Sequence, residues 1–459
     1  MICYRRAVWE VNALPNHALL STSEGGRISI DSHLLEILLS ADGSSLRDIL
    51  SQYQSRNIPS IQLQAALACL AEAGLLVREG LGAVERGTSF CPVQSSSASV
   101  VIVNYESQEW LAECLPSVFS QTARPGEVIV VDNASQHDPT GWVQENFPEV
   151  RLIRFERMQA LAAAINRGVE YSSGEYILIL NPDVRLEPDS IAEMLAVART
   201  DPQCAAVAPK LNFWWAPAFL NGIGNQAGYF KWGSDNGLGH LDLGQFDEWK
   251  EVPSVCFAAA LIRRAAWEAV GPCDEGFRFY YEDSEWSYRA RLLGFRVRAA
   301  PKAVVYHAFG RRVHTGEEAD LTPIKLRNVV FGRLRFVGKL TSGPTLLRYL
   351  STALIHDTGR ALFIFLKGDW HGSAAILRGW FDFLGSLSDL RQARQAVQSQ
   401  RKQSDAEIFS VQKQIPPPLI WRGLPVLTWD SVQRYYLPAI RAGKARAMPE
   451  FGSQDNAVR

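Results

Sequence analysis

Apolar residues recur at three- and four-residue spacing in three early stretches, SHLLEILLSA (32–41), SLRDILSQY (45–53) and SIQLQAALACLAEAGLLVRE (60–79). Asp42-Gly43 and Asn57-Ile58-Pro59 interrupt them. The pattern predicts three helices and a closing strand behind a short strand-like start. Beyond PVQSSSA (92–98) the texture changes. SVVIVNY, EVIVVDN, EVRLIRF and EYILILNPD are short Val- and Ile-rich runs, separated by helical stretches such as LAAAINRGVEY and PDSIAEMLAVA. Strands that are apolar without alternation, interleaved with helices, predict an α/β fold with a doubly wound, mostly parallel sheet covered on both faces. Such a sheet binds its ligand beyond the carboxyl ends of its strands. From about 322 to 408 the chain turns helical, aromatic and basic. There RYLSTALIHDTGRALFIFLKG sets Arg348, Thr352, His356 and Arg360 four residues apart, with Leu347, Leu350, Leu354, Ile355 and Leu362 elsewhere. A helix in a membrane interface and a helix packed on the preceding domain fit this stretch equally well.

These changes of texture divide the chain into a winged-helix-like α+β unit at 1–91, a linker at 92–98, an α/β domain at 99–321, an amphipathic helical extension at 322–410 and a partly disordered tail at 411–459. Over the 459 residues apolar types make up 47% and charged types 21%, an ordinary globular balance. The net charge of -1 gives no global pull toward nucleic acid, so no nucleic-acid partner is expected. Through residue 90 there are seven arginines, no lysine and nine acidic residues, which favours a peptide or protein partner for the first unit over DNA. Seven scattered cysteines with no C-x-x-C pair point to a reducing compartment. With no signal-peptide core and no long charge-free apolar run, the expected location is cytoplasmic, with peripheral contact to the inner face of the plasma membrane.

Two of the apolar runs end in acid: VIVVDN at Asp132 and YILILNPD at Asp183. A carboxylate at a strand end needs a partner, and a nucleotide and a divalent cation are suitable ones. Either acid alone reads more readily as a cap or turn residue; together, at successive strand ends, they favour a nucleotide site. About 100 residues on, FRFYYEDSEWSYRARLLGF brings Glu282 and Asp283 behind an aromatic cluster. Adjacent acids oppose each other's ionisation, which moves one pKa toward the range of a general base. VVYHAFG then sets His307 at the end of another apolar run, a second candidate metal ligand beside Asp183.

In fixed order these motifs resemble glycosyltransferase family 2, in particular its rhamnosyltransferase-like branch, over about residues 98–310. VVIVNYES is similar to the family's opening strand and nucleotide loop, VVDNAS to its second acidic motif, NPD to its D-x-D variant, GPCDEGFRFYYEDSEWSYR to its G-x-F-D-E…ED block, and VVYH to its late histidine. The first unit is similar to small PqqD-type domains that hold peptides. The resemblance implies a GT-A type fold. Asn104, Tyr105, Glu106 and Asp132 would line the nucleotide pocket, with Asn166 on the donor-side helix. Asn181 and Asp183 would hold Mg²⁺ or Mn²⁺ against the donor diphosphate, with His307 completing the coordination. Asp283 would be the general base and Glu282 would bind the acceptor. The implied reaction is inverting transfer of a sugar, rhamnose among the candidates, from a nucleotide diphosphate sugar to a glycan or lipid-linked acceptor in cell-surface polysaccharide or glycoconjugate synthesis. The chain departs from the pattern at Met158, Ala160, Ala258 and Cys273, none of them a catalytic group. Two other readings stay open. A non-catalytic nucleotide-sugar-binding or scaffold protein of this fold would fit the altered MQAL loop, and a nucleotidyltransferase would share the acidic strand ends but lacks a Gly-rich phosphate loop in VNYESQEWL.

Overall fold

The computed structural model describes residues 3–13, 17–22, 26–54, 58–79, 94–227, 233–309, 322–411, 418–421 and 424–442. In the first unit, strands β1 (Cys3–Arg6), β2 (Val8–Ala13), β3 (His17–Thr22) and β4 (Arg27–Asp31) precede helices α1 (Ser32–Ala41), α2 (Leu46–Gln54) and α3 (Ser60–Glu72). β5 (Leu76–Glu79) then returns antiparallel to β1. The helices coincide with the three periodic stretches, and Asp31 starts the first by accepting from the Leu34 amide at 2.9 Å.

Of the linker stretch, 92 and 93 lie outside the described residues, while β6 (Gln94–Ser95) already pairs with β8 (Ala123–Arg124). The central domain runs through β7 (Ala98–Asn104), α4 (Gln108–Phe119), β8, β9 (Glu127–Asp132), α5 (Thr140–Asn146), β10 (Val150–Arg154), α6 (Leu161–Glu170), β11 (Tyr176–Leu180), β12 (Val184–Leu186) and α7 (Ser190–Arg199). It continues with β13 (Cys204–Phe213), β14 (Ala216–Ile223), β15 (Asn225–Ala227), β16 (Gly233–Asp235), β17 (Ala259–Arg263), α8 (Arg264–Val270), α9 (Glu282–Leu292) and β18 (Arg296–His307). The sheet order is β10-β9-β7-β11-β17-β13-β18-β12, with β14 paired to β13.

β7, β9, β10 and β11 are mutually parallel, as continuous apolar runs require, and every residue of β7 and β11 is buried. β17 enters antiparallel between β11 and β13, so the sheet as a whole is mixed. One apolar core lies on each face, around Val100, Val130 and Leu178 on one side and around Val101, Ile129 and Ile177 on the other. The chain therefore has the α/β class and two-faced cover that its pattern predicts.

The extension holds α10 (Thr322–Leu340), α11 (Gly343–Leu366), α12 (Trp370–Gly385), α13 (Leu387–Ser399) and α14 (Asp405–Ser410). Part of the stretch read as a tail is folded. β19 (Ile420–Trp421) pairs with β20 (Leu424–Leu427), and β20 lies parallel to β4, extending the first unit's sheet to the order β19-β20-β4-β3-β2. Helical turns at Trp429–Ser431, Val432–Tyr436 and Leu437–Arg441 follow, and the disorder expected beyond about 440 falls largely on 443–459, outside the described residues. Gly239 permits this return. Its φ of +77° suits glycine, and a Cβ there would lie 2.2 Å from the Leu419 carbonyl oxygen.

Candidate active site

The parallel strands deliver their ends to one sheet edge. Asn104 and Asp132 are register partners at the ends of β7 and β9, and Asn181 follows β11 directly. Asp132 is fully buried and turned inward. It accepts from Asn104 Nδ2 (2.7 Å), the Ser135 hydroxyl (2.6 Å) and the Ser135 amide (3.2 Å), and Arg154 Nε lies 3.4 Å away. This carboxylate welds the loops after β7 and β9. The groups left facing outward there are the exposed Tyr105 ring and Glu106, whose carboxylate accepts from the Gln136 amide and meets His137 Nδ1 at 3.0 Å. Those bonds hold the Glu106 carboxyl below its ordinary pKa. Asn166 is likewise engaged: it exchanges hydrogen bonds with the Cys273 backbone and donates to Glu275, tying α6 to the loop ahead of α9.

Asp183 and His307 meet because β12 pairs antiparallel with the end of β18, putting Val184 opposite His307. His307 Nε2 lies 3.4 Å from Asp183 Oδ1, while its Nδ1 is 2.7 Å from Oδ1 of the buried Asn221. Asn221 Oδ1 can only accept, so Nδ1 donates to it and Nε2 is the ring nitrogen turned toward Asp183. That is the second-layer arrangement that orients a metal-ligating imidazole. An oxygen and a nitrogen ligand this close suit a hard divalent cation that takes its remaining ligands from water and phosphate. Among the described residues no group of three or more His, Cys, Asp or Glu side chains could hold a metal.

Glu282 and Asp283 open α9. Tyr280 and Tyr281 precede them with φ of 73° and 75°, a left-handed pair that costs non-glycine residues about 1–3 kcal/mol each. Packing holds the conformation: Tyr281 Oη accepts from the Gly233 amide at 2.6 Å, and its ring lies against Phe336. Behind them Arg335 forks onto Asp274 (2.9 and 3.1 Å), and Lys339 bridges Asp274 (2.8 Å) and Glu285 (2.9 Å), clamping α10 to the acidic block. A Cβ at Gly276 would fall 2.0 Å from the Arg335 guanidinium, so glycine lets that clamp close. Trp286 and Tyr288 are core residues, whereas Phe279 is exposed beside the block.

Glu282 is buried, its Oε2 without a partner among the described residues, and burial together with Asp283 pushes its pKa up to about 8. Burial also raises Asp283, against hydrogen bonds from the Ser284 amide (2.6 Å) and Asn225 Nδ2 (3.1 Å) that favour its charged form. Ser254 Oγ donates to Asn225 Oδ1 and thereby turns the amide nitrogen toward Asp283. Opposite Asn225 in the β15–β16 pair stands Asp235, which burial and Asp283 push up to about 7 while His307 and Lys325 pull it down. Asp235 thus lies within electrostatic reach of both His307 and Asp283. Asn225 and Asp235 lie in the short strands NQA and GSD, which carry no apolar period, and Asn221 is a single polar residue inside the apolar run of β14, so the sequence does not single them out. Chemically, the group offers a cation seat next to a set of carboxyls raised into the range of a proton acceptor.

Residues 99–271 match the family model described as Glycosyl transferase family 2. Over 213 residues the chain is 25% identical to the low-salt glycan biosynthesis hexosyltransferase Agl10 of Haloferax volcanii, covering 44% of this chain and 64% of that one. It is 27% identical over 240 residues to the O-antigen biosynthesis protein RfbC of Myxococcus xanthus, covering 50% of this chain and 19% of the relative. It is 26% identical over 233 residues to an N-acetylglucosaminyl-diphospho-decaprenol L-rhamnosyltransferase of Mycobacterium tuberculosis, covering 45% and 75%. The chain thus spans less than two thirds of the first two relatives' lengths. The motifs VVIVNY, VVDNAS and NPD, the parallel strands that carry the first two and lead into the third, and this match agree, and residues 99–271 belong to glycosyl transferase family 2.

Proposed function

We propose that the chain transfers a sugar from a nucleotide diphosphate donor to an acceptor hydroxyl, with inversion at the anomeric carbon and dependence on Mg²⁺ or Mn²⁺. The observation that carries the reading is the approach of Asp183 and His307 to 3.4 Å, with Asp235 within electrostatic reach of both His307 and Asp283. In this reading the loops after β7 and β9, with Asn104, Tyr105, Glu106 and the Asp132 weld behind them, form the nucleotide wall. Asn181 and Asp183 face the diphosphate. A divalent cation held by Asp183 and His307 would neutralise the charge that develops on the leaving nucleoside diphosphate. Asp283, aimed by Asn225 and the Ser284 amide, takes the proton of the acceptor hydroxyl, worth roughly 10²–10⁴-fold in rate. Glu282 beside it binds the acceptor in its protonated form, as a donor. One base on the face opposite the leaving group is enough for a single displacement, which inverts.

The acceptor is a glycan or a lipid-linked glycan. Support comes from the mycobacterial relative, named for action on a diphospho-decaprenol compound, and from the glycan-synthesis names of the other two. Rhamnose is one donor sugar to include, and a cytoplasmic setting with peripheral membrane contact belongs to the same reading. The test is nucleoside diphosphate release from a panel of UDP-, GDP- and dTDP-sugars with Mn²⁺, alongside EDTA and Asp183→Asn, with NMR of the product's anomeric configuration. Release that needs the metal and Asp183 is the expected result. Nucleotide binding by calorimetry without metal dependence or turnover would replace this reading with a non-catalytic one.

A further inference from the structure

α11 and α12 turn an unusual number of large apolar side chains to the outside. On α11 the buried face carries Ala353, Asp357 and Ala361, spaced four residues apart. Asp357 is charge-paired with the buried Arg333 of α10 and accepts from Trp380 Nε1 at 2.9 Å. The outward face, at seven- and four-residue spacing, carries Ile355, Leu362 and Leu366, with Ile355 and Leu366 each 74% exposed. α12 has a core face of its own, burying Ile376 and Phe383 with Gly372, Ser373, Ala375 and Gly379, yet it also exposes Leu377, Phe381 and Leu384, with Phe381 at 72%. Trp370, also exposed, stands at the turn between the two helices. A globular domain turns the apolar stripe of a helix toward its core. α11 and α12 pack against each other, and the large apolar residues they both expose exceed the scattered ones of an ordinary monomer.

The border of that surface selects its occupant. Arg348, Lys367 and Arg378 are exposed around it, and between residues 343 and 388 Asp369 is the only exposed carboxylate; it is occupied as the cap of α12 through the Gly372 amide. A basic rim about an apolar face with tryptophan at its edge complements an anionic lipid surface, with leucine and phenylalanine entering the acyl boundary and the cations meeting headgroups. A second copy would bring this rim against another of the same sign. No described helix is long and apolar enough to cross a membrane, so α11 and α12 can only lie along it. We propose that the outward face of α11 and α12 docks flat onto an anionic lipid bilayer. The inference requires nothing of the transfer reaction. It does fix which side of the central domain would face lipid, because Asp382 of α12 is ion-paired with Arg278 (2.7 Å), four residues ahead of Glu282.

Flotation of the full chain with vesicles of phosphatidylcholine alone, and of phosphatidylcholine and phosphatidylglycerol in equal parts, tests this. The chain should float with the mixed vesicles, and Ile355→Glu, Leu362→Glu and Phe381→Glu should each lower binding by about tenfold or more, from the loss of one buried large apolar side chain. Leu39→Glu, an exposed leucine of the first unit, should float like the unaltered chain. Acyl-chain-brominated lipid should quench tryptophan emission of the native chain, with that quenching reduced in Trp370→Phe, a readout that requires no charged variant to fold. Failure to float with either vesicle, or flotation unaffected by the three substitutions together, overturns the proposal. Dimers dispersed by the same substitutions would assign the face to a second copy and overturn it equally.

Discussion

Glu282 couples pH to stability as well as to chemistry. Its pKa lies near 4.5 in an unfolded chain and is raised to about 8 by burial and by Asp283. Across that window the native state keeps a proton that the unfolded state releases. The contribution is full below the lower value and is lost as pH rises through the higher one. Glu282→Gln abolishes the loss, so its thermal midpoint should rise relative to the native chain as pH increases, by the equivalent of roughly 4 kcal/mol between about pH 5 and about pH 8.5. Equal midpoint differences at about pH 5 and about pH 8.5 would refute this linkage. Asp283→Asn tests the base itself: initial rates of nucleoside diphosphate release should fall by about 10²–10⁴-fold with the donor KM nearly unchanged. A rise in KM at constant kcat would instead make Asp283 a binding group.

At the scale of elements, the acidic block is only as firm as its attachment to α10. Arg335 is 2% exposed and makes a forked bond to Asp274, whose carboxyl Arg335 and Lys339 hold well below the usual range against the opposing effect of burial. Arg335→Met leaves that carboxylate with Lys339 as its one cation among the described residues, beside the Gly276 amide. The expected cost is about 3 kcal/mol, since removing one partner strands a buried charge. Because the block carries Asp283, kcat should fall as well, and chemical denaturation with parallel kinetics checks both. Unchanged kcat in a folded Arg335→Met protein would mean that α10 does not position the acids. The helices themselves are legible from the sequence because their apolar residues repeat. Which face of α11 is buried is not, since the period of Leu347, Leu354 and Leu362 marks an apolar stripe and leaves its direction open. That direction is set by Asp357, whose partner Arg333 lies on a different helix. The strand ends at Asp132 and Asp183 are legible for a related reason, as acids that terminate apolar runs. Asn221, Asn225 and Asp235 become neighbours of His307 and Asp283 only through the pairing of β14, β15 and β16, which no local spacing encodes.

The whole molecule is closed by a contact between its two ends. LPVL at 424–427 is four residues long, and its partner strand ends at Asp31, so neither period nor proximity announces the pairing. Once formed, it is reinforced at several points. Asp31 caps α1 through one carboxyl oxygen and accepts from the Trp429 amide through the other at 2.8 Å. Tyr436 Oη accepts from the Leu241 amide at 3.0 Å, and the Leu419 amide donates to the Leu238 carbonyl at 3.0 Å. Leu427, Val432 and Tyr436 share one core with Leu34, Leu38 and Leu67 of the first unit and with Phe213, Phe219 and Leu241 of the central domain. Three segments distant in sequence therefore bury one another, and removing one uncovers the other two. Truncation after residue 411 should raise amide exchange throughout α1 and α3 while leaving β7 and β11, whose cores lie on the other side of the sheet junction, protected as before. Asp31→Ala, which removes a cap and a cross-link together, should produce a weaker version of the same change, costing about 1–2 kcal/mol. If α3 amides exchange equally slowly in the truncated and full chains, the first unit is stable without the returning strand, and the shared core does not hold the two ends together.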